Sequence, residues 1–476
     1  MGTSGGGPLP PGTDPSPRRH QPASTPLAHR RYPHQRTPTT LLHRRLRLNR
    51  SIESGHPNRE IGLWAAVACI ATAGFLTSWT LLHQSFWGRH QLVDTPIYEA
   101  YADAIRAGDV PYRDFAIEYP PAALPAFLAP ELTATPERFG TYGHAFEKWM
   151  AACGVVMVLC VVAALAALHA RAHRVAAAVA FVTAAPLLLG PVVLSRFDLW
   201  PAALTAAAVA AFLWRRPRLG AVMLGLAIAA KLYAVVCVPL AFVWVWRSHG
   251  ARAVLSWAAV LAAVLAVAFA PIAAIAPSGL AHSFATQLGR PLEIESLGAA
   301  VLVGVHHLDG LRLLLRQDHG STNLEGGLPN LVANLSTIAQ LALLGAVLLA
   351  FVRGPASRQR FITAIAASVT IFIAFAKVFS PQYLIWLIPL VPLVGGRRGI
   401  IATALLGISL ALTQFWFPDR WGQYSQHLRP LESSALLLRD LLIALLGLTL
   451  TWSLYTDHAQ PTTPTPTRWR SPNATQ

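Results

Sequence analysis

Charge is scarce in this chain. Of its 476 residues 13% are Asp, Glu, Lys or Arg, where a soluble domain carries about a quarter. That shortage excludes a water-soluble globular protein of this length. Cysteine is scarce as well. Cys69, Cys153, Cys160 and Cys237 all fall in apolar runs, which suits small hydrophobes and excludes a disulfide frame or a cysteine metal site. Acids are few, 22 against 38 Lys and Arg, and the formal net charge is +16. The excess has no folded basic domain to carry it. Ten arginines against three acids lie in residues 1–60, and the other basic residues form short clusters between apolar segments. A nucleic-acid-binding protein is therefore excluded.

What the chain has in abundance is apolar sequence: 54% hydrophobic, mean hydropathy +0.45. Runs close to the ~20 apolar residues needed to cross a bilayer recur between 61 and 455. Residues 1–60 are rich in Gly, Pro, Ser, Thr, Arg and His and read as a disordered basic cytoplasmic tail. They are no secretory signal, because the next apolar run is long and lacks a small-residue cleavage site. Residues 456–476 read as a second disordered tail, polar and rich in Pro and Thr. Between them lies one transmembrane domain, 61–455. The clusters "RAHR", "RRPR", "RSHGAR", "RGPASRQR" and "GGRR" land on one side when the N-terminus is placed in the cytoplasm, as retention of basic residues there requires. The expectation is an all-α polytopic membrane protein with about twelve spanning helices and both termini cytoplasmic. The segments 87–148, "SRFDLW", 276–330 and "KVFSPQY" then lie on the extracytoplasmic side.

The first of these loops is the most polar. From 96 to 107 the spacing is helical, with Ile97, Tyr98, Tyr101 and Ile105 on one face and Glu99, Asp103 and Arg106 on the other. Pro96 suits a first turn and Gly108 a stop. The apolar face is expected to rest on the bilayer. Asp94 precedes this helix, as a capping residue in competition with Thr95, as a general base for an attacking hydroxyl, or as both. Tyr119-Pro120-Pro121 forbids a helix and stiffens the backbone behind Glu118. It can hold Asp114 and Glu118 over the membrane, unless they are ordinary solvated loop acids.

Five stretches in order resemble glycosyltransferase family 87. The first is Asp94, Tyr98, Gly108-Asp109-Val110-Pro111-Tyr112-Arg113-Asp114-Phe115 and Glu118-Tyr119-Pro120-Pro121. The others are "SRFDLWPAAL", "LGLAIAAKLYAVVCVPL", "RPLEIES" and "KVFSPQYLIWLIPL". The resemblance covers about 61–455. Ala234 stands where the family often has proline. The resemblance implies a bacterial plasma-membrane mannosyltransferase of the GT-C fold, with an extracytoplasmic active site. It would use a polyprenyl-phosphate mannose donor as substrate, need no cofactor, and act on a glycolipid or polysaccharide acceptor. It also implies an inverting transfer with Asp94 as the base.

A departing lipid phosphate needs positive charge, and Arg196, Lys231, Arg290 and Lys377 are the candidates. The alternative for the two lysines is snorkelling to the headgroup layer. Asp198 either pairs locally with Arg196 or belongs to the site. Tyr98, Asp114, Glu118, Tyr119, Asp198, Glu295, Gln382 and Tyr383 are the candidate substrate contacts, while Ser296 either joins Glu295 or caps the next helix. "GVHHLDG" does not make a convincing metal site. No Asp-x-Asp pair appears in the outer loops, against a metal-bound nucleotide-sugar donor. The rival class is a secondary transporter or flippase, since interrupted helix pairs with charges at the break also mark transporters. The long acidic first loop favours the transferase.

Overall fold

A computed structural model of the protein describes residues 57–84, 92–132, 141–318 and 320–456. The expected tails at 1–60 and 456–476 lie outside the described residues but for their innermost few. The chain divides into Met1–Glu60 and Ile61–Gln476, and the architecture that follows is that of the second unit.

Helix α1, Pro57–Leu81, leads to the first loop, which contains α2, Thr95–Ala107, and α3, Leu124–Glu131. Then come α4, Thr141–Ala167, α5, Ala172–Leu189, the single turn α6, Val192–Ser195, α7, Leu199–Leu213, and α8, Pro217–Ala230. After the 3-10 stretch Leu232–Cys237 follow α9, Val238–His249, α10, Ala251–Ile275, and α11, Pro277–Gly289. Strand β1, Leu292–Glu293, helix α12, Leu297–Asp309, and strands β2, Leu314–Asp318, and β3, Ser321–Glu325, fill the next polar connection. The chain continues with α13, Gly327–Arg353, α14, Arg358–Ala374, and the 3-10 turns Pro381–Trp386 and Val391–Leu393. It closes with α15, Gly396–Trp416, α16, Trp421–Ser425, and α17, Pro430–Thr456.

The protein is a helical multi-pass membrane protein, but the span count differs from expectation. Among the described residues, eight segments are long and apolar enough to cross a membrane: α1, α4, α5, Leu232–His249, α10, α13, α15 and α17. Four of the twelve expected spans are shorter or irregular. At about 1.5 Å per residue, α7 with its 15 residues falls short of a ~30 Å hydrocarbon layer. Thirteen of those residues are buried, as is nearly all of α14. Their apolar sequence encodes packing inside the protein. α8 is also short, and the 381–393 segment is broken by Pro381 and Pro392 into 3-10 turns. The sheet was not anticipated either. It runs β1-β3-β2, all antiparallel, with Glu293 opposite Asn323.

The basic clusters form one end of the bundle, and their arginines do more than sit in solvent. Arg174 donates to Leu393 O, Arg358 to Ala167 O at 2.7 Å, and Arg247 to Gly354 O at 2.7 Å. Arg360, 4% exposed, forks to Leu454 O and Ala350 O, both at 2.7 Å. Most of these acceptors are at helix C-termini, whose last carbonyls lack intrahelical partners.

Candidate active site

The site is built at the other end, where four polar connections meet. Helix α2 matches expectation in extent, and Gly108 ends it in the left-handed region at φ 103°. The aromatic part of its apolar face packs on protein, while Ile97 is exposed. Tyr98, 1% exposed, stacks on Phe127 at 4.5 Å and meets Phe146, Phe197 and Tyr119. An aromatic face gains more from these close ring contacts than from a headgroup layer. α2 is thereby fixed to the protein.

Asp94 stands at the N-cap position of α2, yet its side chain makes no capping bond. Its carboxylate pairs instead with the Arg196 guanidinium and accepts from Tyr98 Oη at 3.3 Å. Arg196 also reaches Leu92 O, which ties "SRFDLW" to the chain just before α2. Arg196 and Asp198 do not pair with each other. Asp198 points to Lys231, whose Nζ is 2.6 Å from Oδ1, and that oxygen also accepts from Trp386 Nε1 at 2.7 Å.

Lys231 sits where α8 stops, its backbone extended at φ −158° before the 3-10 stretch. Its ammonium lies over Phe197 at 4.7 Å, Trp386 at 5.2 Å, Tyr383 at 5.4 Å and Tyr119 at 5.9 Å. Tyr383 and Tyr233 stack on Trp386 at 4.3 and 3.9 Å. A lysine caged by four ring faces and one carboxylate is held by cation–π attraction and charge pairing. It does not snorkel.

"RPLEIES" and "KVFSPQY" are joined by a residue that sequence reasoning passed over, Glu293. It is 1% exposed. It accepts from Phe379 N at 2.8 Å, Ser380 Oγ at 3.3 Å and Arg290 Nη2 at 3.1 Å, while its own N–H donates to Lys377 O. Alternation along 292–295 puts Glu293 and Glu295 on one face. That pattern was the available signal, since it gives two acids where only the second was chosen. Arg290 also donates to Ser321 Oγ, and Lys377 Nζ to Leu288 O at 2.8 Å. Arg196 and Arg290 both act electrostatically on Lys231, and Arg290 on Lys377. Glu293 joins Arg290 to the Lys377 backbone, and "SRFDLW" carries both Arg196 and the Asp198 partner of Lys231.

Glu295 is buried, with Oε1 lacking a hydrogen-bond partner. Burial, reinforced by the Glu293 charge, pushes its carboxyl well above the usual carboxylate range, against Arg439 and Arg196. Ser296 caps α12, accepting from Ala299 N at 3.4 Å.

Other candidates stand apart. The Asp114 carboxylate is taken up by its own loop, accepting from Val110 N at 2.8 Å and from Nε and Nη2 of Arg113. The Arg113 bonds, then the Val110 N–H, hold that carboxyl at about 2. Glu118 is exposed but near enough to Arg290 for their charges to interact, and its carbonyl accepts from Gln287 of α11 at 3.3 Å. At the start of that helix Gly279 meets the Tyr112 carbonyl so closely that a Cβ would collide with it. Gln382 is half-buried beside Tyr383. The histidines of "GVHHLDG" are otherwise engaged, His306 with Leu311 O at 2.6 Å and His307 with Ser433 Oγ at 3.2 Å. Among the described residues no group of three His, Cys, Asp or Glu is placed to hold a metal.

An apolar groove of about 420 Å³ lies between Pro121 and Ala122, Leu226 of α8, and Ala263, Val264 and Val267 of α10. Its Pro121 wall is two residues from Tyr119 of the lysine cage. A smaller cavity of about 200 Å³ adjoins Asp94, between Val93, Thr95, Leu194, Ser195 and the first turns of α4.

No curated protein matches the chain. Its fold is similar to that in the crystal structure of ArnT from Cupriavidus metallidurans bound to undecaprenyl phosphate, at 13% identity over 84% of this chain and 77% of that one, with a TM-score of 0.43. Residues 313–420, the stretch holding Lys377, Gln382, Tyr383 and Trp386, match the family described as Mannosyltransferase (PIG-M).

Proposed function

We propose that this protein is an inverting membrane glycosyltransferase. It moves a mannosyl residue from a polyprenyl-phosphate donor to a hydroxyl of a cell-envelope glycolipid or polysaccharide. The observation that carries the reading is the junction of a carboxylate, a basic cluster and an apolar groove. Asp94 sits against Arg196, Lys231 is caged beside them, and the groove begins two residues beyond Tyr119. The match over 313–420 supports mannose as the sugar. The resemblance of five motifs to glycosyltransferase family 87 supports the lipid-linked donor.

In this reading the lipid tail lies in the groove, where only apolar side chains meet it. The phosphate enters the basic cluster formed by Arg196, Lys231, Arg290 and Lys377. The acceptor hydroxyl oxygen forms a bond to the anomeric carbon as the bond from that carbon to the phosphate oxygen breaks. The hydroxyl proton passes to Asp94, and the electron pair leaves with the phosphate, whose growing charge the cations stabilise. Attack opposite the leaving group inverts the anomeric centre. The arginines at the far end of the bundle support placing this site on the outer face. A groove walled by α10, little of whose apolar stretch is buried, fits a lipid substrate entering sideways better than a transporter's two-sided path.

The test is to incubate membranes with radiolabelled polyprenyl-phosphate mannose, with and without this protein, and identify the labelled product. A label that stays on the donor in both samples overturns the reading. Label carried across the bilayer unchanged would point to the transporter.

A further inference from the structure

Resting on that reading, we propose that the cavity beside Asp94 is the acceptor subsite and takes the terminal sugar ring whose hydroxyl attacks. Its walls flank both members of the key ion pair: Val93 and Thr95 bracket Asp94, and Leu194 and Ser195 precede Arg196. The remaining wall is Gly143, His144 and Glu147 of α4. None of these residues belongs to the lysine cage or the apolar groove. A reactant held here lies against the two segments that carry the base and its arginine, apart from the donor's groove.

The lining suits a carbohydrate. Thr95 and Ser195 offer hydroxyls, Glu147 a carboxylate, and Val93 and Leu194 an apolar surface for the C–H face of a ring. Glu147 is held by His83, whose Nε2 lies 3.0 Å from Oε2. A carboxylate accepts through two oxygens, so Oε1 is left for a sugar hydroxyl. A volume of about 200 Å³ is on the scale of one pyranose ring. At Gly143 a Cβ would meet no atom within 4 Å. Because Gly143 is on the cavity wall, a larger side chain there would narrow the cavity while meeting no neighbour at its base.

The experiment measures transfer from radiolabelled polyprenyl-phosphate mannose by the full-length protein in detergent. A total lipid extract of the source membranes serves as acceptor, and donor and extract are varied separately. In Glu147→Gln the extract concentration for half-maximal transfer should rise about tenfold, as for the loss of one hydrogen bond to a charged group. In Gly143→Leu it should rise further, and in both variants half-saturation by the donor should stay at the wild-type value. Unchanged dependence on the extract in Glu147→Gln overturns the proposal, whether or not Gly143→Leu folds. A shift in donor dependence also overturns it, because the cavity would then serve the other substrate. Absence of transfer by the wild type overturns the functional reading itself, an outcome distinct from either.

Discussion

Replacing Lys231 by Met removes a charge and little volume, and its consequences divide cleanly between stability and catalysis. In the wild type Nζ is 2.6 Å from Asp198, with side-chain exposures of 14% and 1%. Met leaves the Asp198 carboxylate buried, with the Trp386 indole still donating to it. Stripping a buried ion of its partner costs about 3–5 kcal/mol, which thermal unfolding in detergent should register as a fall of several degrees. Adding Asp198→Asn removes the stranded charge while keeping an oxygen for Trp386, and replacing both members of a buried pair is often close to neutral. The double variant should therefore unfold near the wild-type temperature. Transfer should not recover with it. Losing one pre-placed group at a developing negative charge lowers kcat by about 10²–10³, and both variants lack it. Recovery of transfer in the double variant would refute the reasoning, since Lys231 would then be no more than a counter-ion for Asp198. A single variant that unfolds at the wild-type temperature would show that the pair contributes nothing to the fold.

Asp94→Asn should reduce transfer by about 10²–10⁴, the usual worth of a general base, with yield and polyprenyl-phosphate binding retained. Turnover at the wild-type rate, measured with labelled donor, would remove Asp94 from that role. Glu293→Gln keeps the shape of the clamp but weakens the charge-assisted bonds to Arg290 and Phe379 N–H. Half-saturation by the donor should rise by about tenfold, while half-saturation by the acceptor extract stays put. The raised Glu295 carboxyl sets a pH dependence. The folded chain retains a proton that an unfolded carboxylate loses near pH 4, so this group's stabilisation is greatest below about pH 4 and is lost as pH rises through the folded value. Melting temperatures between pH 5 and pH 8 should fall less in Glu295→Gln than in the wild type, and identical slopes would show that the group does not titrate.

Local signals were legible in the sequence. The helix after Asp94 and its end at Gly108 follow from spacing and from glycine's access to the left-handed region, and the break at Lys231 from a charge between two apolar runs. The membrane-spanning character follows from composition. Pairings were not legible. Arg196 looks like a partner for Asp198 two residues away, yet it meets Asp94, and Asp198 meets Lys231. Which cation meets which anion is decided by how helices converge, and no local pattern records that. The same holds for α7 and α14, whose apolar runs read as membrane spans and are enclosed by protein. Glu293 was hidden because two of its partners, the Phe379 N–H and Ser380, come from a distant segment that leaves no trace in local composition, and the nearby Arg290 reads by itself as a phosphate ligand.

The arginines that fork onto helix ends at the far side of the bundle have two separable jobs. Positive charge alone sorts a segment to one leaflet, and lysine would sort it as well. A planar guanidinium holds two carbonyls with the two arms of a rigid fork, as Arg360 does between Leu454 and Ala350, a geometry that a flexible ammonium does not fix. Swapping these arginines for lysines would leave insertion intact and loosen the rivets between helices. Topology and rigidity, encoded by the same residues, could then be measured one at a time.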